Sequence, residues 1–249
     1  TIRNKVYGNY LLARFERTKK NYEMEMEYLK EGHKNYFNLK KEIFDLGVKY
    51  CFEDVIQIMQ DAKTKKSELK NNTEKPIFII GVPRCGSTLV EKIIGSGKKI
   101  IPLGEETMVM ENFVNAKILE KQSLNLGSSE KLREQLFEIY QNKGLISKKF
   151  DYTFTDKSLN NFFYLNLIKD IYPNAKIINC KRDILSSIMS IFQNNLTSLA
   201  WTHDLDNIFK YFDNYFEIID TFNETHPDLI YNLQFEKLVE NPEEETKKL

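Results

Sequence analysis

The chain has 249 residues, 41% of them hydrophobic, enough apolar mass for a real core in one large domain or in one domain with an appendage. Its 36 basic residues balance 36 acidic ones, which excludes a global field that would draw nucleic acid or an anionic membrane; any anion site must be local. Three cysteines, Cys51, Cys85 and Cys180, show no CxxC spacing, which argues against a disulfide scaffold or a structural zinc site and fits a reducing, cytoplasmic compartment.

No apolar stretch approaches the roughly eighteen residues needed to span a bilayer, and the opening TIRNKVYGNYLL lacks the layout of a signal peptide. The chain starts without Met and stops at NPEEETKKL inside a helical pattern, so it reads as a fragment of a longer protein.

Residues 3–62 carry helical periodicity. Tyr10, Leu11 and Phe15 share a face, followed by Met24, Tyr28 and Leu29, then Ile43, Phe44 and Val48 with Val55, Ile56 and Met59. Two or three helices are predicted, with a turn near Lys19 to Asn21. Such a hairpin suits the tail of a helical-repeat array, although a single unit does not establish a repeat. The polar stretch AKTKKSELKNNTEK, 62–75, reads as a solvated linker. It places a boundary near residue 70, between a helical N-terminal segment, 1–70, and a second domain, 71–249.

Beyond it, short apolar runs alternate with helical patterns. PIFIIG (76–81), KIIPLG (99–104), YTFTDK (152–157), AKIINC (175–180) and DLIYNLQ (228–234) are strand candidates. Helical patterns fall at about 88–96, 106–121, 129–142, 159–171, 184–195 and 205–224. Alternation of this kind implies an α/β domain with a central parallel sheet, whose ligands bind at the carboxyl ends of the strands.

The first strand runs into GVPRCGSTLVEKII. Gly81 allows a tight exit, Gly86 lets backbone N–H groups approach an anion, and the helix starting near Ser87 points its positive end at the same place, with hydroxyls from Ser87 and Thr88. The alternative is an ordinary glycine-rich turn, which leaves Arg84 at the loop tip idle. Ser87 stands where the triphosphatase pattern GxxxxGK[ST] has its lysine. Without that lysine, a single phosphate monoester beside a reacting group suits the loop better than a triphosphate.

This stretch resembles the 5′-phosphosulfate loop of sulfotransferases that use 3′-phosphoadenosine-5′-phosphosulfate (PAPS), particularly the tyrosylprotein sulfotransferases and bacterial sulfotransferases fused to tetratricopeptide repeats. The resemblance implies a P-loop-containing three-layer α/β sandwich, with Arg84, Cys85, Gly86, Ser87, Thr88 and Leu89 around the cofactor. The family usually has Ser at Cys85, and a thiol is the poorer donor.

Three further segments carry the resemblance. In AKIINCKRDILSSIMSIFQNNL, residues alone suggest a surface arginine beside an Asp183 that caps the next helix. The family's 3′-phosphate motif implies instead that Arg182 and Ser190 hold the ribose 3′-phosphate, a contact in which lysine would not replace arginine. In GEET, the two glutamates read equally well as first-turn residues favoured by a helix dipole or as a base at a strand end. The family implies a catalytic base, which its distance from the loop arginine assigns to Glu105 and its GEET letters to Glu106; Glu105 is the expectation. In FTDKSLNNF, Lys157 reads as an ordinary solvated lysine. The resemblance makes it a catalytic lysine on the bridging oxygen, acting with Arg84, although Ser158 and Leu159 replace the bacterial proline pattern.

His33, His203 and His226 form no nucleophile pattern and are assigned structural or surface roles. WTHDLDNIFKYFDNYF reads as an amphipathic helix, and FEKLVENP resembles a family segment with Phe235 in place of tyrosine. The resemblance covers about 76–245 and stops short of the family's C-terminal region. It implies a PAPS-dependent transferase acting on a peptide, glycan or small-molecule acceptor, with a protein partner for the N-terminal helices, and no metal, nucleic acid or membrane span. A P-loop kinase or triphosphatase, or a repeat protein with a degenerate transferase domain, is the alternative.

Overall fold

The computed structural model describes residues 1–61, 63–65, 75–104, 107–121, 125–147 and 153–249. In chain order it comprises α1 (Ile2–Thr18), α2 (Tyr22–Leu39), α3 (Lys41–Lys49), a π turn (Tyr50–Asp54), α4 (Val55–Asp61) and β1 (Lys63–Lys65). Then come β2 (Ile77–Gly81), α5 (Ser87–Gly95), β3 (Ile100–Pro102), α6 (Val109–Lys121), β4 (Asn125–Ser128), α7 (Ser129–Asn142) and β5 (Thr153–Asp156). A 3-10 turn (Leu159–Tyr164), α8 (Leu165–Ile171), β6 (Lys176–Lys181), α9 (Ile184–Phe192), a second 3-10 turn (Ala200–His203), α10 (Leu205–Thr225), β7 (Ile230–Gln234), α11 (Phe235–Glu240) and α12 (Pro242–Lys248) complete it.

The chain divides into two compact units, Thr1–Gln57 with Ile184–Asn214, and Ile58–Asp183 with Tyr215–Leu249. The expected boundary near residue 70 falls within 66–74, outside the described residues.

The first unit is helical. Thr1 caps α1 by accepting the Asn4 N–H (3.3 Å), and the turn at Lys19 to Asn21 falls where periodicity predicts it, with Asn21 accepting the Met24 N–H (3.5 Å) to start α2. Val6, Tyr36, Phe44 and Ala200 form its apolar core, with Tyr10, Phe37 and Val48 packed alongside. Two of the three histidines are buried here as structural groups. His33 Nε2 donates to the Phe192 carbonyl (2.7 Å), which leaves Nδ1 as an acceptor facing His203 Nδ1 (2.9 Å) and the Tyr10 hydroxyl (2.9 Å). Burial pushes both imidazoles down, His33 to about 4 and His203, which also feels His33, to about 3.

The second unit holds a five-stranded sheet in the order β3-β5-β2-β6-β7, parallel throughout. All five predicted strands are present. Phe78, Ile79 and Ile80 on central β2 are fully buried, the continuous apolar run of a strand covered on both faces. From β2 the chain crosses to β3 on one side, and from β6 to β7 on the other. The two strands therefore flank a topological switch point, where ligands bind in open parallel sheets.

Four expectations are corrected. The presumed linker carries β1, which pairs in parallel with β4. The helical N-terminal stretch holds four α-helices and a π turn, more than the two or three predicted. The helix expected from residue 159 opens as a 3-10 turn, because the Asp156 carboxylate draws in the Ser158 N–H (2.9 Å) and the Asn161 amide (3.2 Å). The amphipathic stretch from Trp201 is broken at Asp204, whose extended backbone ends a 3-10 turn and whose carboxylate accepts the Asn207 N–H (3.0 Å) to begin α10.

Candidate active site

The loop after β2 turns through two left-handed residues, Arg84 (φ 72°) and Gly86 (φ 93°), before α5 begins at Ser87. Gly86 is needed for close approach as well as for its φ. A Cβ there would lie 2.2 Å from Phe235 Cδ2, so the ring rests directly on the loop backbone. Arg84 holds an uncommon conformation for a residue with a Cβ, exposed at the loop tip.

The second strand-end motif meets this loop. Arg182 Nη1 donates to the Arg84 carbonyl (2.9 Å), and its guanidinium lies 5.3 Å from the centre of the Phe235 ring. Glu236 Oε1 accepts the Asp183 N–H (2.9 Å). Partial burial raises the Glu236 carboxyl, but that N–H, Gln234 and nearby Arg182 outweigh it and hold the group below the usual carboxylate range. The loops after β2 and β6 and the start of α11 thus form one hydrogen-bonded cluster at the switch point. Ser190, the expected partner of Arg182, belongs to the helical unit.

Cys85 is fully buried under the loop, beside Cys180, which stands opposite Gly81 in the β2–β6 register. A Cβ on Gly81 would meet the Cys180 carbonyl at 2.8 Å and Cys85 Sγ at 2.9 Å, so the strand exit also requires glycine. The Cys180 thiol, helped by the N–H and hydroxyl of Ser87, lowers Cys85 against its burial; Cys180 is raised as the donor. Cys85 therefore faces its neighbours in the fold, and it is the exposed Thr88 and buried Ser87 that supply hydroxyls to the loop.

Lys157 departs from its reading as a solvated charge. It is 4% exposed, at the end of β5, with Nζ 3.5 Å from Thr88 Oγ1 on the first turn of α5. A lysine is rarely buried to this degree without a counter-charge, and Glu91 faces it from α5. Arg84, Ser87, Thr88 and Lys157 present N–H, hydroxyl and cationic donors, a set that fits the anionic phosphosulfate end of a nucleotide such as PAPS. Glu105 and Glu106 lie outside the described residues.

The sulfotransferase family model matches residues 76–249, which take in the whole five-stranded sheet and every strand-end motif. The chain belongs to the sulfotransferase family. Among its relatives, an uncharacterized protein of Aquifex aeolicus (strain VF5) is 29% identical over 190 residues, 71% of this chain and 25% of that protein. A Caenorhabditis briggsae protein named "Putative protein-tyrosine sulfotransferase" is 24% identical over 188 residues, 72% of this chain and 65% of that protein. The chain thus spans a quarter of one curated relative and just under two thirds of the other. In structure, it aligns with a sulfotransferase of Mycobacterium tuberculosis H37Rv at TM-score 0.49 and 11% identity, across 89% of this chain and 76% of that one.

Sequence reasoning missed two buried carboxylates beside these groups. Glu91, 4% exposed on α5, accepts Thr155 Oγ1 (2.8 Å) and the Gly104 N–H (3.3 Å). Burial raises its carboxyl, opposed by those two donors and by Lys157. Asp156, fully buried, accepts from the Tyr140 hydroxyl (2.5 Å) and Thr107 Oγ1 (3.0 Å) in addition to Ser158 and Asn161. The available signals were a glutamate three residues after Thr88 on one helix face, and an aspartate closing an apolar strand. Among the described residues, no helix is long and apolar enough to cross a membrane, and no group of three or more His, Cys, Asp or Glu side chains could hold a metal ion.

Proposed function

We propose that this sulfotransferase moves the sulfuryl group of PAPS onto an acceptor hydroxyl or amine. One observation carries the reading further than any other: Lys157, buried at 4% exposure, lies with its ammonium 3.5 Å from Thr88 Oγ1 at the head of the loop helix. That proximity supports a role for Lys157 in countering the charge that develops on a phosphate held by the loop.

When bound, PAPS supplies an activated sulfuryl group on a phosphate leaving group. The backbone N–H groups of Gly86, Ser87 and Thr88, with the Ser87 and Thr88 hydroxyls, hold the 5′ end, while those of Cys85 and Leu89 donate to the Val82 and Gly86 carbonyls. Gly86 lets the Phe235 ring close against that backbone. Lys157 and Arg84 stabilise negative charge on the departing oxygen, a preorganised electrostatic role that typically amounts to about 3 kcal/mol per donor. Arg182, braced by the Arg84 carbonyl and the Phe235 ring, takes the 3′-phosphate. Glu105 removes the acceptor proton, with Glu106 as the alternative one residue on. The name of the Caenorhabditis briggsae relative puts tyrosyl peptides first among acceptors, ahead of glycans and small molecules. A reducing, cytoplasmic setting and a protein partner on the N-terminal helices complete the proposal.

The test is transfer from labelled PAPS to a panel of tyrosyl peptides, glycans and phenols, in the wild type and in Glu105→Gln, Glu106→Gln and Lys157→Met. Loss of transfer by about 10²-fold or more in Glu105→Gln and Lys157→Met, with affinity for adenosine 3′,5′-bisphosphate held within about threefold in Glu105→Gln, is expected. Loss in Glu106→Gln alone would move the base by one residue. Unchanged transfer in Lys157→Met would overturn the electrostatic role.

A further inference from the structure

We infer that Glu236 is a positioning residue that holds the segment carrying Arg182, and through it sets the preference for a nucleoside 3′,5′-bisphosphate over a 5′-monophosphate. The inference rests on the proposed role of Arg182 as the 3′-phosphate ligand.

The geometry begins in the sheet. β6 and β7 run in parallel and stop together, with Lys181 opposite Gln234 as their last paired residues. Arg182 and Phe235 therefore leave the sheet side by side, where the β6–β7 ladder ends. The N–H that follows Arg182, that of Asp183, goes to Glu236 Oε1 (2.9 Å). The other carboxylate oxygen, Oε2, accepts the side-chain amide of Gln234 (2.6 Å), the last residue of β7. Both oxygens are engaged, one by β7 and one by the segment after β6, so a single carboxylate bridges the two strand ends. Its own backbone is fixed in the first turn of α11, which is anchored by the buried Leu238.

The side chain of Arg182 is braced separately. Nη1 donates to the Arg84 carbonyl (2.9 Å), and the guanidinium lies 5.3 Å from the centre of the Phe235 ring. Among the described residues Arg182 makes no other hydrogen bond and no ion pair with Glu236, so its Nε and Nη2 donors remain for an anion. A carboxylate paired with the guanidinium would compete with a phosphate for those donors. One engaged by the Asp183 N–H and the Gln234 amide leaves them open while it fixes the backbone beneath them. The 3′-phosphate is what distinguishes adenosine 3′,5′-bisphosphate from AMP, so a loosened Arg182 weakens one nucleotide and spares the other.

The test compares Glu236→Ala and Glu236→Gln with the wild type, by titration with adenosine 3′,5′-bisphosphate and with AMP and by amide hydrogen exchange at Asp183. Both variants remove the negative charge, but only glutamine keeps an oxygen for the Asp183 N–H, so the difference between them isolates the hydrogen bond. Glu236→Ala should bind the bisphosphate about fivefold more weakly than Glu236→Gln, with AMP affinities within about twofold of each other. With PAPS as donor, the same factor should appear in KM and leave kcat within about twofold. Asp183 exchange should quicken at least tenfold in Glu236→Ala and stay within about threefold of wild type in Glu236→Gln. Equal bisphosphate affinities in the two variants, a loss shared equally by AMP, or unchanged Asp183 exchange in Glu236→Ala would each overturn the inference while the 3′-phosphate reading stands. A wild type that binds the bisphosphate and AMP equally would overturn that reading and the inference with it.

Discussion

Replacing Gly86 by alanine tests the loop geometry at its tightest point. The substitution meets two separate obstacles. The left-handed backbone at φ 93° disfavours any residue with a Cβ by about 1–2 kcal/mol. The new methyl would also lie 2.2 and 2.4 Å from two carbons of the Phe235 ring, which must swing away. Overpacking of this kind costs about 1–3 kcal/mol, and a ring on two free torsions should take the lower half of that range. A total near 3 kcal/mol corresponds to a fall in Tm of about 6–12 °C for a domain of this size. Since Arg182 lies over the same ring, affinity for adenosine 3′,5′-bisphosphate should drop as well. Thermal melts and titrations of Gly86→Ala, Phe235→Ala and the double variant form a closed cycle. Removing the ring should rescue the collision but not the backbone strain, leaving a coupling of about 1–2 kcal/mol. Additivity to within about 0.5 kcal/mol would refute the contact between Phe235 and Gly86.

Two other predictions follow from separate parts of the molecule. Arg182→Ala should weaken adenosine 3′,5′-bisphosphate binding at least tenfold more than AMP binding, and Arg182→Lys should recover little of it, because an ammonium lacks the guanidinium fork; equal losses for both nucleotides would remove the 3′-phosphate role. The buried histidine pair gives a pH dependence with a definite sign. Because burial lowers His33 to about 4 and His203 to about 3, the unfolded chain binds more protons than the folded one below its ordinary imidazole pKa of about 6.5. The stabilisation is fully present above about pH 6.5 and is lost as pH falls toward 4, with His33 alone accounting for about 2 kcal/mol between pH 7 and pH 5. Urea midpoints of the helical unit at those two pH values would show it, and a slope that is no flatter in His203→Gln would contradict the assignment.

The sheet was legible because each of its strands is a short apolar run between helical patterns, and alternation of that kind leaves little choice but parallel pairing. The strand-end motifs were legible for the same reason, since a parallel sheet gathers its carboxyl ends on one edge. What stayed hidden depends on pairings that sequence distance conceals. Glu91 in STLVEKIIG reads as the wet side of an amphipathic helix, and only the neighbouring end of β5 reveals that it is buried against Thr155. Lys157 reads as a surface charge until Thr88 and Glu91 close around it. His33 and His203 are 170 residues apart, and nothing local to either marks a buried pair. β1 and β4 escaped notice because Lys-Thr-Lys and Asn-Leu-Gly-Ser carry almost no apolar signal, so their pairing comes from tertiary context alone.

The proposed donor can be tested directly by calorimetric titration of the chain with adenosine 3′,5′-bisphosphate, beside AMP and Mg-ATP. The account predicts that the bisphosphate binds at least tenfold tighter than AMP, without need of magnesium, and that Arg182→Ala removes this difference. Equal affinity for the bisphosphate and AMP, or a preference for Mg-ATP, would contradict it and point to a nucleotide chemistry other than PAPS.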